Sequence, residues 1–203
     1  MTKNPRFPRA RSALRALGLV LVLALVLAAA IRALAIQNYR IPSSSMEPAL
    51  HVGDVVTVWR PDALTGSIDR GDVVVVDGRG SFLPTVQPND MEILGSWFGI
   101  GPRDVFYVKR VVAVAGDTLE CCDASGRLLL NGKPLDEPYV IEGARASELA
   151  FSVEVPDGRV WLMGDNRPDS ADSRSLLGAP GGGMIRTERI MGTVIGEGSS
   201  LDR

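Results

Sequence analysis

At 203 residues the chain has room for one compact domain plus appendages, and two full domains would be cramped. Its 22 Lys+Arg against 24 Asp+Glu leave a net charge near zero, which argues against a nucleic-acid binder, because such proteins carry a basic excess. The balance is uneven along the chain: Lys3, Arg6, Arg9, Arg11 and Arg15 precede residue 16 with no acidic residue among them, so the remainder is distinctly acidic.

Residues 1–14 read as a basic, proline-containing tail without periodicity. The stretch "ALGLVLVLALVLAAAI" (16–31) is uncharged and apolar apart from Gly18. Taken alone it falls a little short of a ~30 Å hydrocarbon core, which takes about 20 helical residues. Continuing through Arg32 to Ile36 makes up the difference, with Arg15 and Arg32 placed to snorkel toward the head groups. A transmembrane anchor is therefore expected over 15–36. The rival is a cleavable signal peptide with its small residues near 28–30, but the apolar run is too long, and Arg32 and the bulky "IQNYRI" make a poor cleavage neighbourhood. A buried soluble helix fits less well, because this one is apolar all round. The positive-inside rule puts the N-terminus in the cytoplasm and residues 37–203 outside.

Beyond the anchor, short strands are predicted at 54–60, 72–78, 104–116, 127–132, 159–164 and 190–196. Each is rich in β-branched residues and bounded by Gly, Pro, Asp or Asn. "DASG" and "NGKP" have turn chemistry, so 117–135 should contain a hairpin. With no long helical period outside the anchor, the fold class is mainly β. Two stretches look irregular, 175–185 and 79–103. The latter carries Trp97 and Phe98 in "SWFGIG", read either as a packed loop or as a dip into the membrane interface.

Three serines in "IPSSSMEP" (41–48) raise the question of a nucleophile and its base. The single histidine, His51, lies close in sequence but reads as a surface residue at the start of a strand. No Cys or His cluster has metal-ligand spacing, so a zinc hydrolase is not expected. The lysines are Lys3, Lys133 and Lys109, and Lys109 sits in "VFYVKRVVAV", the most apolar strand of the ectodomain. Alternation puts Tyr107, Lys109 and Val111 on one face, and Val108, Arg110 and Val112 on the other. Such a lysine either snorkels to solvent or is desolvated. Desolvation disfavours its ammonium and would move an ordinary pKa of about 10.4 toward the 7–8 of a competent base.

Four segments in order, "IPSSSMEP" (41–48), "RGDVVVV" (70–76), "YVKRVVAVAGD" (107–117) and "MGDNRPDSADSR" (163–174), follow the single apolar segment. Together they resemble the bacterial type I signal peptidases, or leader peptidases, over essentially the whole ectodomain. The resemblance implies an extracytoplasmic, mostly antiparallel β-sheet catalytic domain over 37–203, with an accessory β region reduced to 118–160. It implies a serine endopeptidase that cleaves signal peptides after small residues of Ala-x-Ala type through an acyl-enzyme. Residue by residue, it makes Ser45 the nucleophile and Lys109 the general base. Ser43, with the backbone N–H of Ser45, forms the oxyanion hole, and Ser44 is a bystander. Ser170 orients the lysine, Asp172 and Arg174 form a supporting ion pair, and Asp165, Asn166 and Arg167 hold the turn. Ile41, Met46, Leu50 and Tyr107 line the apolar substrate pockets. "VKRVV" rather than "VHRVV" sets the chain apart from the endoplasmic-reticulum and archaeal branch, which has histidine at that position.

The expected partners are exported pre-proteins as substrates, membrane lipid, and the protein translocation machinery alongside, with no cofactor, no metal and no nucleic acid. The expected location is the bacterial cell membrane, single-pass. A dedicated processor of one precursor, or a β-rich scaffold whose serines are a juxtamembrane joint, are the competing readings. Cys121 and Cys122 are adjacent and expected on the oxidising side, as a vicinal disulfide, two free thiols, or an intermolecular pair, with no catalytic part.

Overall fold

The computed structural model describes residues 7–83, 106–141 and 143–196. Most of the 79–103 loop, Trp97 and Phe98 included, lies outside the described residues. The chain divides into two units, Met1–Ile36 and Gln37–Arg203.

In the first unit, helix α1 runs over Phe7–Ala35. It starts well before the expected residue 15. Alanine, arginine and leucine of the expected tail are good helix formers, and a proline in the first turn costs no intrahelical bond. Within α1, Ser12–Ile31 has a mean hydropathy of 2.7 and the length to cross a membrane. Its large apolar side chains stay 56–70 % exposed. A helix apolar on every side is one that hydrocarbon solvates better than water does.

The second unit is built on a seven-stranded sheet. Its strands are β1 (Ile36–Arg40), β2 (Val55–Trp59), β3 (Val73–Asp77), β4 (Phe106–Val114), β9 (Arg159–Met163), β10 (Ile185–Arg186) and β11 (Ile190–Ile195). They lie in the order β1-β2-β11-β3-β4-β9-β10, and the pairs from β2 to β10 are antiparallel. A four-stranded antiparallel sheet, order β7-β6-β5-β8, is formed by β5 (Thr118–Cys121), β6 (Leu128–Leu130), β7 (Lys133–Pro134) and β8 (Phe151–Glu154). Cys121 and Cys122 are joined as a vicinal disulfide.

Val73, Val74, Val75 and Val76 of β3 are all fully buried, which makes β3 a strand covered on both faces, with a continuous apolar run rather than an alternating one. Alternation sends Val73 and Val75 to a cluster with Ile41, Met46, Leu50, Val58 and Val108. Val74 and Val76 pack instead with Val111, Leu162, Ile185 and Ile190. Each buried valine contributes about 1.5–3 kcal/mol. A third cluster, with Ala113, Trp161 and Met163 beside Leu119, Leu128 and Phe151, welds the small sheet to the large one.

The six predicted strands are present, and the expected hairpin is β5–β6–β7. Asn131 and Gly132 both take positive φ, 53° and 76°, the conformation that an Asn-Gly hairpin turn requires. The Asp123 carboxylate accepts from the N–H groups of Ser125 and Arg127 and shapes the "DASG" turn. Strands β1 and β8 were not anticipated, because "IQNYR" and "FSVE" are short and largely polar-alternating. Helix α2 (Pro61–Thr65) was missed too, although Pro61 opens it and Gly66 closes it in the left-handed conformation.

Asp117 ties the two sheets together. Its carboxylate accepts from Arg70 Nε at 2.7 Å and from Arg70 Nη2, from Asn131 Nδ2 at 2.9 Å, and from the Val114 N–H at 2.9 Å. Burial alone would raise its pKa, but these donors outweigh burial and hold the carboxyl below the usual range. Asp117→Ala strands several donors and should cost about 2–3 kcal/mol, read as a lower melting temperature by circular dichroism. A melt within one degree of the parent would contradict this account.

Candidate active site

Four segments meet around Lys109. The first is the loop from β1 to β2, pinned at its neck by Ile41 N–H to Asp54 O at 2.8 Å and Gly53 N–H to Ile41 O at 2.9 Å. Ile41, Met46 and Leu50 anchor the loop by burying their side chains in the core, and Ser45 stands between two of them. The second is β4, where Lys109 pairs with Val74 of β3 and sits deep in the sheet, only 2 % exposed. The third is the loop after β9, residues 164–174, with 3-10 turns at Arg167–Asp169 and Ser173–Leu176. The fourth is the segment after β7, which carries Glu137 and Tyr139.

Lys109 Nζ lies 2.7 Å from Ser45 Oγ and donates a second hydrogen bond to Val108 O at 3.0 Å. Burial lowers the lysine pKa to about 8, against the pull of Asp172 and Asp165 in the other direction, with Arg174 assisting the fall. Relative to an ordinary lysine, this raises the neutral fraction at pH 7.5 from about one in a thousand to about one in four. The desolvated alternative is the one this fold adopts. Ser43 Oγ donates to Ser45 Oγ at 3.3 Å. The backbone N–H of Ser45 donates no hydrogen bond among the described residues.

Ser44, expected to be idle, is a tether. Its hydroxyl donates to Asp169 Oδ2 at 2.5 Å, and its carbonyl accepts from Asn166 Nδ2 at 3.1 Å. Asn166 N–H also donates to Ser45 O at 3.1 Å. The Ser45 loop and the 164–174 loop are thereby locked together.

Asp172 accepts from Gly164 N–H at 3.0 Å and from Arg174 Nε at 2.8 Å and Nη2 at 2.7 Å. Burial would raise this carboxyl, but Arg174 and Gly164 overcome it and keep it ionised. The expected hydrogen bond from Ser170 to Lys109 is not formed. Ser170 Oγ is buried beside the Asp172 carboxylate and helps hold that carboxyl down, while Lys109 Nζ is turned to Ser45 Oγ and Val108 O.

Ile41, Met46 and Leu50 are 1–3 % exposed, and Tyr107 is half-buried. The first three thus form the floor beneath the site. Tyr39 and Phe106, ring centroids 5.5 Å apart, cap the same cluster at its edge. A cavity of about 490 Å³ opens elsewhere, between Leu50, Val55–Thr57 and Val194–Gly196, and contains neither Ser45 nor Lys109. His51 is exposed and points to Asp54, 3.8 Å away. Among the described residues no group of His, Cys, Asp or Glu could hold a metal ion.

Sequence reasoning gave no role to Gly164 or Arg110. A Cβ on Gly164 would lie 2.2 Å from Ser170 Oγ and 2.4 Å from Ser45 O, so only glycine lets the two loops close. Arg110 is buried and forked to Asp165, at 2.8 and 2.7 Å. Burial outweighs that partner and raises the Asp165 carboxyl. The signal for Arg110 was an arginine in an otherwise apolar strand; its partner, 55 residues away, could not be read from spacing.

Residues 14–196 match the model of a family described as signal peptidase, peptidase S26. A probable signal peptidase I of Mycobacterium leprae is 35% identical over 220 residues, covering 91% of this chain and 76% of that protein. The signal peptidase I of Mycobacterium tuberculosis is 37% identical over 197 residues, covering 86% and 66%. That of Bacillus licheniformis is 33% identical over 181 residues, covering 85% and 82%.

Gly164→Ala should push the Ser45 loop off Lys109 by a good fraction of an ångström. Displacement of that order costs reactions held in fixed geometry about a hundredfold in rate. Turnover at a temperature where circular dichroism reports an intact sheet checks this, and a near-parental rate would contradict it.

Proposed function

The chain belongs to the signal peptidase family, peptidase S26, whose serine peptidases cleave signal peptides, and from that premise we propose that Ser45 and Lys109 are its catalytic dyad. The observation that carries the reading is a buried amine, its pKa brought to about 8, held 2.7 Å from a serine hydroxyl. Neutral Lys109 accepts the Ser45 proton as Oγ attacks the scissile carbonyl. The negative charge developing on the carbonyl oxygen falls to the Ser45 N–H and the Ser43 hydroxyl. Collapse breaks the C–N bond, Lys109 returns its proton to the leaving amine, and an ester remains on Ser45. Lysine then deprotonates a water that hydrolyses the ester, restoring both groups. Asp172 and Arg174 keep the 164–174 loop in place, with Ser170 beside the Asp172 carboxylate.

The substrate segment is an exported pre-protein's signal peptide with small residues of Ala-x-Ala type. It lies extended along the sheet, where backbone pairing gives affinity and alternate pockets give specificity. Ile41, Met46 and Leu50, with Tyr39 and Phe106 at the rim, supply apolar surface from one cluster, and Tyr107, which packs with Val74 and Val76, supplies it from another. Helix α1 anchors the enzyme in the bacterial membrane, N-terminus inside by the basic residues that precede the apolar run, and catalytic unit outside. That location puts it beside the translocation machinery.

Ser45→Ala and Lys109→Met should each abolish cleavage of an Ala-x-Ala precursor by the detergent-solubilised enzyme while leaving the sheet folded; near-normal cleavage by either would sink the dyad. Ser43→Ala should lower kcat by roughly 10²–10³, a loss seen in kcat rather than KM. The pH dependence has a definite sign. The ammonium form of Lys109 is inert, so kcat rises with pH, reaches half its maximum near pH 8 and levels off above it. A profile flat between pH 6 and 9 would exclude lysine as the base.

A further inference from the structure

Glu137 and Tyr139 stand in "LDEPYV", between β7 and β8, in the reduced accessory region and outside all four motifs. Their side chains nonetheless reach the back of the catalytic loop. Arg167 has a side chain 1 % exposed. It donates from Nη1 to Glu137 Oε2 at 3.0 Å and from Nη2 to Glu137 Oε1 at 2.5 Å. Its remaining direction, Nε, goes to Gly164 O at 3.0 Å. Tyr139 donates its hydroxyl proton to Glu137 Oε1 at 2.9 Å, and its ring lies 4.2 Å from the guanidinium of Arg110. Arg110 follows Lys109 in β4 and is forked to Asp165, the residue after Gly164.

One carboxylate and one phenol therefore grip the two arginines that flank Gly164 and Asp165. We propose that Glu137 and Tyr139 are positioning residues for the dyad: through Arg167 and Arg110 they hold the Gly164–Asp165 backbone against Ser45 and complete the charge balance around Lys109. This rests on the reading of Lys109 as the general base.

Stability alone is a poor reason for such a cluster. Buried ion pairs give little net stabilisation, and apolar residues of similar volume often do as well or better. What the Glu137–Arg167 fork fixes is a direction, that of the Gly164 carbonyl, in the glycine whose other face touches Ser45. The charges also combine. Lys109 is faced by Asp165 and Asp172, by Arg174, by the Tyr107 ring at 5.9 Å, and by the Ser45 hydroxyl, with Arg110 beside it in the strand. Glu137 is faced by Arg167, by Tyr139 and by the like charge of Asp165. Neutralising Glu137 leaves Arg167 with Asp165 as its remaining acidic neighbour. That adds an uncompensated positive charge to the cluster and disfavours the lysine ammonium.

The test uses the full chain in detergent, with turnover normalised to folded enzyme by circular dichroism. Glu137→Gln should lower kcat about tenfold, leave KM within twofold, and move the midpoint of the kcat–pH profile to lower pH. Glu137→Asp, which keeps the charge, should restore the midpoint and part of the rate. A purely structural role would reduce the folded fraction alone, so a parental kcat per folded molecule with an unmoved midpoint overturns the proposal, whatever happens to the melting temperature. Should Glu137→Gln not fold, Tyr139→Phe decides: a two- to threefold fall in kcat at constant KM supports the proposal and a parental kcat rejects it. Lys109→Met runs alongside. Activity in that variant rejects the base assignment itself, whereas an inert Lys109→Met beside an unaffected Glu137→Gln rejects only the positioning role.

Discussion

A lysine can take a proton near neutrality only where its ammonium is poorly solvated, and Lys109 stands in such surroundings. Strands β3 and β9 flank β4 and leave the residue 2 % exposed. Burial has to prevail against two nearby carboxylates, Asp172 and Asp165, which favour the charged form. It does prevail, because Asp172 is taken up by Arg174 and Asp165 by Arg110, so neither offers its full charge to the amine. The acids near the lysine are therefore tolerable only as members of ion pairs.

Those pairs also explain the construction of the loop after β9. Arg174 spans Asp172, Arg167 O at 2.8 Å and Ala146 O at 3.0 Å. Arg167 joins Glu137 to Gly164. Guanidinium groups suit this task, since a planar fork fixes the orientation of its acceptors in a way that a lysine ammonium does not. The outcome is a loop of irregular backbone in which Gly164 O, Arg167 O and the Asp172 carboxylate are held by the loop's own arginines. Ser44 and Asn166 then fasten it to the Ser45 loop. Removing any single fork leaves a buried charge behind, which is costly even where the intact pair contributes little.

The fold was largely legible in sequence, because β-branched runs and turn residues are local signals. "VVVV" bounded by Asp, and "NGKP" with its Asn-Gly turn, need no partner to be recognised. Strand β1 and helix α1's early start were less visible, since edge pairing and a helical extension through a basic segment depend on context rather than on periodicity. For the site, Ser45 and Lys109 stood out because a hydroxyl cluster and a lysine in an apolar strand are each unusual on their own. Glu137 and Tyr139 did not. "LDEPYV" is an ordinary polar loop until the fold brings it to Arg167, 30 residues on. Ser44 was misjudged for the same reason, its partner Asp169 being 125 residues away. The residues proposed to react carried a chemical signature, whereas those that hold them carried only a spatial one.

That separation has a consequence for when the site comes into being. Ser45 and Lys109 are 64 residues apart, and the loop that fastens them together lies more than 120 residues beyond Ser44. Contacts of such long range form late, after the costs of chain closure are met. Before the sheet closes, Lys109 is a solvated lysine with a pKa of about 10.4 and Ser45 an unactivated hydroxyl. Neither residue has any intrinsic reactivity to display. A serine–histidine pair would differ, since imidazole titrates near neutrality without burial. With lysine as the proposed base, the reactivity of Ser45 is a property of the completed sheet, so an incompletely folded chain would be chemically silent.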